Sequence, residues 1–305
     1  MKLSDCLVVI PTFYPGEKIL HCLNSVPEEC DILIVDNGDD IELLKNIQKS
    51  SKKITHYKVG DIGLPKSFNY ALKKCSKKYL LVTQPDVIFE NNCIQNLLSS
   101  YSKYPNAGIV CPLIYENKIY SKYDYMDLGF DKKNNKLLEK KIYKNLSPEP
   151  FGDFCVDAVN ATAMLLKKEF LDKIGGWDEN IYTYCEDIDL CLRFRIAGHE
   201  IIKIKDSRVD HVGFQSHKKE NFNDMNLSRN WHFCWSSIYF KKKHAKIDDF
   251  YKYFFSVFFK YFFKTLIYFS FFRIRKFKQY GIRLRACLNF IFVGKSNYRP
   301  DVKKN

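Results

Sequence analysis

Closely spaced cysteines are missing from this sequence. Its eleven, Cys6, Cys22, Cys30, Cys75, Cys93, Cys111, Cys155, Cys185, Cys191, Cys234 and Cys287, are odd in number and nowhere stand as C-x-x-C. That scatter excludes a zinc ribbon or a disulfide scaffold. Several sit in apolar runs such as Ile109-Val110-Cys111, where a thiol is a small hydrophobe, and reduced thiols in the cytosol are expected. Long apolar runs are missing too. Leu7–Ile10 has only four residues, too short for a signal-peptide core. Within the aromatic stretch Phe250–Phe272 the longest uncharged run is eight residues, Thr265–Phe272. Crossing a bilayer takes roughly 20. Acids are scarce in one region alone. Residues 1–240 carry 32 Lys+Arg and 32 Asp+Glu, whereas residues 241–305 carry 17 against Asp248, Asp249 and Asp301, the whole formal surplus of +14. The charge therefore describes the tail and not the body of the protein.

What is present suffices for one large core or two modest ones: 305 residues, 46% of them hydrophobic. Short apolar runs alternate with amphipathic stretches. Leu7–Ile10, Ile32–Val35, Ile54–Val59 and Tyr79–Val82 read as strands, separated by helical patterns around Ile19–Leu23, Leu43–Ile47 and Phe68–Leu72. Continuous apolar strands between helices predict a parallel sheet covered on both faces, an α/β domain with right-handed crossovers. Ligands in such sheets sit beyond the carboxyl ends of the strands, where Asp36-Asn37-Gly38 and Gln84-Pro85-Asp86 fall. Residues 115–153 lose this rhythm and read as an irregular insertion; it returns at Val156–Leu166 and in a helix over Ile188–Ala197.

Asp36 and Asp86 each close an apolar strand on the ligand face. A carboxylate there can accept from a ribose or base N–H, or hold a divalent cation; a plain turn or helix N-cap explains Asp36 equally well. Glu186-Asp187-x-Asp189, at the start of a helix, is more pointed. Acids in a first turn oppose the helix dipole, but three within four residues exceed what a cap needs, and their repulsion raises a pKa, as a general base requires. His211 and His217 follow another strand-like stretch and gain interest only beside those carboxylates.

The order of these stretches resembles a family 2 glycosyltransferase of the GT-A fold, in the bacterial branch that includes rhamnosyltransferases. The matching residues are Val8–Thr12, Ile34–Gly38, Asp61–Gly63 with Asn69, Gln84–Asp86, Asp157–Leu166, Gly175–Glu179, Tyr184–Arg193, and His211 with Gly213 and Ser216. The resemblance covers roughly residues 5–235. It implies a Rossmann-like, mostly parallel sheet flanked by helices, and an inverting transfer from a nucleotide-diphosphate sugar, dTDP-L-rhamnose or a UDP-hexose, to a lipid-linked or cell-surface glycan. By the same resemblance Pro11, Thr12, Asp36, Asn37, Gly63, Asn69 and Gln84 line the donor pocket. Asp86, with His211 nearby, would hold Mg²⁺ or Mn²⁺, Asp187 with Glu186 beside it would be the base, and Gly176, Trp177 and Asp189 would face the acceptor. One departure stands out: Gln84 replaces the first acid of the fuller Asp-x-Asp motif.

The expected division is a catalytic domain, 1–240, and a helical tail, 241–305. In the tail Lys252, Ser256, Lys260 and Lys264 form a polar stripe on an otherwise aromatic helix, followed by Arg273, Arg275, Lys276 and Lys278. That pattern suits a helix lying on an anionic membrane, so the expected location is the cytoplasmic face, peripheral to the cell membrane. A helix packed on the catalytic domain, or a homodimer contact, is the second reading of the tail, and nucleic acid is set aside because no recognised motif is present. The competing functions are a polyprenyl-phosphate glycosyltransferase, a nucleotidyltransferase and a non-catalytic peripheral membrane protein. The second would want a glycine-rich basic loop where Pro11–Pro15 stands, and the acidic cluster argues against the third.

Overall fold

The computed structural model describes residues 1–38, 40–121, 123–131, 136–137, 143–144, 149–211 and 222–300. The motif residues Gly213, Ser216 and His217 lie outside them, as does much of the 115–153 insertion. The chain divides into two compact units, Met1–Trp177 with Asp187–Lys218, and Asp178–Glu186 with Lys219–Asn305. The expected boundary at residue 240 falls inside a helix of the second unit.

The first unit opens with β1 (Cys6–Thr12), α1 (Ile19–Ser25), β2 (Asp31–Asp36), α2 (Ile41–Lys49), β3 (Ile54–Lys58), α3 (Leu64–Lys74) and β4 (Tyr79–Thr83). Then come β5 (Val87–Phe89), α4 (Cys93–Lys103), β6 (Ala107–Glu116), β7 (Ile119–Tyr120), β8 (Tyr125–Asp127), β9 (Phe130–Asp131), β10 (Lys136–Leu137) and β11 (Tyr143–Lys144). It continues with β12 (Phe154–Cys155), β13 (Ala158–Val159), β14 (Ala163–Lys167) and α5 (Lys168–Lys173), then α6 (Glu186–Ile196) and β15 (Glu200–His211). The main sheet runs β12-β15-β6-β14-β4-β1-β2-β3, with β5 paired to β15 and β7 to β6. The run β4-β1-β2-β3 is parallel, as the apolar strands predict, and β6 and β15 are parallel to each other. Between them β14 is antiparallel to both its neighbours.

Alternate residues of each strand feed opposite faces. Val8, Ile10, Ile32, Ile34 and Leu81 meet α1 and α4 on one side. Val9, Leu33, Leu80 and Val82 meet α3 and α6 on the other. All eleven cysteines are free thiols, ten of them buried, which agrees with their reading as small hydrophobes.

The second unit holds α7 (Phe222–His244), α8 (Ile247–Ser270) and α9 (Ile274–Phe292). Trp231, Cys234, Trp235 and Ile238 of α7 pack with Phe250, Phe254 and Tyr261 of α8 and Ile282, Ala286 and Cys287 of α9. Each set recurs at helical spacing, so one stripe per helix faces the shared core. The segment 178–186 joins them: Thr183 O accepts from Ser236 Oγ at 2.8 Å, and Tyr182 stacks on His232. No helix among the described residues is long and apolar enough to cross a membrane.

Candidate active site

At the carboxyl ends of β1 and β2 the chain builds a buried polar corner. Asp36 Oδ1 accepts from Thr12 Oγ1 at 3.2 Å and from Gly38 N at 2.9 Å, while His56 Nε2, on β3, stands 3.6 Å from Oδ2. Burial raises the Asp36 carboxyl above its usual range, against the pull of Gly38, Thr12 and His56. Asn37 turns away from this corner. Its Oδ1 accepts from Gly63 N at 3.2 Å and from Ser67 Oγ at 3.0 Å, so it ties β2 to the start of α3. Gly63 caps that helix at φ +85°, where a side chain would be strained. Pro11 is buried at the end of β1, beside Thr12.

After β4 the chain turns sharply. Val87 N donates to Gln84 O at 3.3 Å, with Pro85 and Asp86 as the two central residues, the turn position where proline presets φ. The short β5 that follows pairs antiparallel with the end of β15, setting His211 opposite Val87. His211 Nε2 consequently lies 3.5 Å from Asp86 Oδ1. Two such ligands fit a cation that takes its remaining oxygens from a diphosphate, as Mg²⁺ does in phosphate-binding enzymes. Among the described residues no cluster of three or more His, Cys, Asp or Glu would make a closed all-protein cage. The backbone N–H of Gln84 donates to Thr162 O at 3.3 Å.

Asp187 lies in the first turn of α6, after Tyr184 and Cys185, whose φ values of +66° and +65° put two non-glycine residues in the left-handed region. Such strain is held in place by its surroundings and clusters at working sites. Asp187 Oδ2 accepts from Ala161 N at 3.2 Å and Oδ1 from Ile188 N at 2.8 Å. Burial nevertheless pushes its carboxyl up from the usual range. Ala161 and Thr162 therefore tie two places together: Ala161 N binds Asp187, and Thr162 O accepts from Gln84 N and from Thr83 Oγ1. Glu186, the residue before, is buried, and the division between the units falls between the two.

The three residues expected on the acceptor side are turned inward. Asp189 is fully buried and accepts from Arg193 Nε at 2.8 Å, one helical turn on. Trp177 is buried against Phe68, and its N–H donates to Asn69 Oδ1 at 2.9 Å while its carbonyl accepts from Asn69 Nδ2 at 2.9 Å. Gly176, at φ +69°, has no room for a Cβ, which would collide with Asn69 Oδ1. Asn69, expected in the donor pocket, thus clamps the Gly176-Trp177 turn. All four residues are buried and bonded within the first unit.

Sequence reading missed His56, Lys18 and His21. A cavity of about 300 Å³ is lined by Lys18, His21, Asp86 and Ile88, which places two basic side chains around the Asp86 carboxylate. Nothing in the local pattern marks them, since Lys18 and His21 read as ordinary polar positions at the start of α1.

The model of glycosyl transferase family 2 matches residues 7–160, just over half of the chain, from the start of β1 to the segment that binds Asp187. The rhamnosyltransferase WbbL of Escherichia coli (strain K12) is 27% identical over 198 residues, 60% of this chain and 72% of that protein. An N-acetylglucosaminyl-diphospho-decaprenol L-rhamnosyltransferase of Mycobacterium tuberculosis is 23% identical over 238 residues, 68% of this chain and 76% of its own. Among solved structures, the mannosyltransferase PcManGT from Pyrobaculum calidifontis, in complex with GDP-Man and Mn²⁺, superposes with a TM-score of 0.54. It is 12% identical, and the match spans 79% of this chain and 65% of that one. The family match thus spans the parallel β4-β1-β2-β3 half, Asp36 at the end of β2 and Asp86 in the turn after β4. The chain belongs to glycosyl transferase family 2 and is a glycosyltransferase of the GT-A fold.

Proposed function

We propose that the chain transfers a sugar, with inversion, from dTDP-L-rhamnose or a UDP-hexose to a hydroxyl of a lipid-linked or cell-surface glycan. The observation that supports this most is the Ala161–Thr162 tie, which hangs the proposed base Asp187 and the Gln84-Pro85-Asp86 turn on two consecutive residues. Asp187, its carboxyl raised toward the range of a working base, takes the proton from the acceptor hydroxyl. The acceptor oxygen attacks the anomeric carbon opposite the nucleotide, the bond to the diphosphate oxygen breaks, and a single displacement inverts the centre. Asp86 and His211 would hold Mg²⁺ or Mn²⁺, which when bound neutralises the charge developing on the diphosphate. Lys18 lines the same cavity and adds positive potential there, with the His21 imidazole beside it as a hydrogen-bonding group. Pro11, Thr12 and Asp36 hold the nucleoside, Asp36 through the carboxylate edge that faces His56. The named chemistry of the relatives, rhamnosyl transfer, one of them an L-rhamnosyltransferase acting on a diphospho-decaprenol acceptor, supports the donor and the lipid-linked acceptor. Such an acceptor calls for work at the inner face of the cell membrane, and the basic aromatic tail supports that position.

The test is a donor screen for nucleoside-diphosphate release and for transfer to a lipid-linked glycan, with Mg²⁺ or Mn²⁺. Release is expected with one rhamnosyl or hexosyl donor, abolished by EDTA and lost in Asp86→Ala through donor binding. Full activity in EDTA overturns the metal assignment and leaves Lys18, His21 and His211 to meet the diphosphate charge.

A further inference from the structure

Helix α8 wears its aromatics on two faces. Phe250, Phe254 and Tyr261 enter the three-helix core. Tyr251, Phe255, Phe259, Phe263, Leu266 and Phe269 stay exposed and recur every three to four residues, a stripe about 27 Å long at 1.5 Å per residue. Lys252 and Lys260 are exposed beside it, whereas Lys264 folds back, its Nζ 3.4 Å from Tyr280 Oη on α9. The stripe runs into the α8–α9 corner, where every residue from 269 to 276 is exposed. Phe271 is 72% exposed and Phe272 87%, with Phe269 and Ile274 alongside and Arg273, Arg275 and Lys276 interleaved. Phe272 sits at φ +51°, a left-handed conformation that costs a bulky residue energy and that no buried contact of its side chain repays.

We propose that this corner is a wedge that enters an anionic lipid surface, with the outer stripe of α8 lying along the headgroups. The proposal rests on the membrane-side reading above and names the part of the chain that makes the contact. Phe271, Phe272, Phe269 and Ile274 supply the apolar tip, and the three cations ring it at headgroup level, the arrangement interfacial helices use. Charge selects the partner. No acid occurs between Asp249 and Asp301, so a second copy docking the same surface would set cations against cations. An anionic lipid surface opposes them with the right sign.

Flotation of the full-length protein with vesicles of phosphatidylglycerol and phosphatidylcholine tests it. Phe271→Ser with Phe272→Ser should weaken binding about tenfold per ring, and replacing Arg273, Arg275 and Lys276 by Gln about fivefold per cation, the latter on anionic vesicles alone. Phe151→Ser, which removes a 94% exposed ring from the first unit, should leave binding unchanged and serves as the control. Nucleoside-diphosphate release should stay at the parental level in all three, showing that the fold is intact. If the parent floats and the double Phe variant floats equally well, the corner is not the wedge, although membrane attachment stands. If the parent fails to float on either vesicle while still transferring sugar, attachment itself is wrong and the transferase reading survives. A dimer that the double Phe variant dissociates would mean that a second copy covers the corner, which also overturns the proposal.

Discussion

Asp187 has to ionise where burial opposes charge, and this tension sets its pH behaviour. A base works deprotonated, and desolvation moves its carboxyl above the ordinary value of about 3.9. The acid limb of the rate profile should therefore fall at a higher pH than a solvated Asp would give. Asp187→Asn should lower kcat by about 10²–10⁴-fold with little change in donor KM, and that limb should vanish from whatever rate remains. Turnover close to the parent's would remove Asp187 from the role. Gly176 gives a prediction of another kind. In Gly176→Ala the left-handed backbone and the encounter with Asn69 together should destabilise the protein by about 2 kcal/mol, read as a lowered midpoint in urea. At this scale Asp36 ends β2 as its apolar run predicts, whereas Asp86 stands in the turn three residues beyond the end of β4. The sequence was least informative within Glu186-Asp187-x-Asp189. Two residues along a helix is a turn of about 200°, so Asp187 and Asp189 point to opposite sides. Composition treats them alike. Arg193, four residues beyond Asp189, was the one sign that this acid had a structural partner.

Elements were legible as far as periodicity could see. The parallel half of the sheet follows from apolar runs between amphipathic helices. A continuous apolar run looks the same in either direction, however, so the antiparallel slot of β14 between β4 and β6 could not be read. The same limit hid the partner of segment 178–186. Asp178, in a motif expected beside the chemistry, instead accepts from Tyr239 Oη at 3.0 Å and pairs with Lys243 Nζ at 2.6 Å, both on α7. Burial opposes its ionisation, but Lys243 and Asn180 outweigh that and hold the carboxyl below the usual range. A depressed carboxylate adds stability that is present above its unfolded pKa and lost as pH falls through the folded one. Asp178→Asn should accordingly cost about 1–2 kcal/mol at pH 7. The gap from the parent should narrow as pH is lowered toward 3. Equal loss at both ends of that range would show that shape and not charge is at work.

For the molecule as a whole, the surplus charge falls after residue 240, but the second compact unit already takes in all of α7. Charge follows surface composition, whereas the second unit is defined by what its helices bury, and α7 buries Trp231 and Trp235 against α8 and α9. Ending the chain at Lys243 would uncover both rings. The shortened protein should bind a hydrophobic dye and aggregate instead of gaining solubility; a well-behaved monomer would show that α7 does not need its partners. The interleaving of the two units has a consequence for how the protein is made. Residues 178–186 emerge from the ribosome long before residues they meet, because His232 and Arg299, which both pack on the Tyr182 ring, follow about 50 and 117 positions later. Tyr298, which stacks on Trp231 and accepts from His232 Nε2 through its carbonyl, comes later than all three helices. The second unit can therefore close fully only after residues 298 and 299 have been made. Until then the faces that Trp231, Trp235, Phe250 and Phe254 bury in the finished unit stay open to other apolar surfaces.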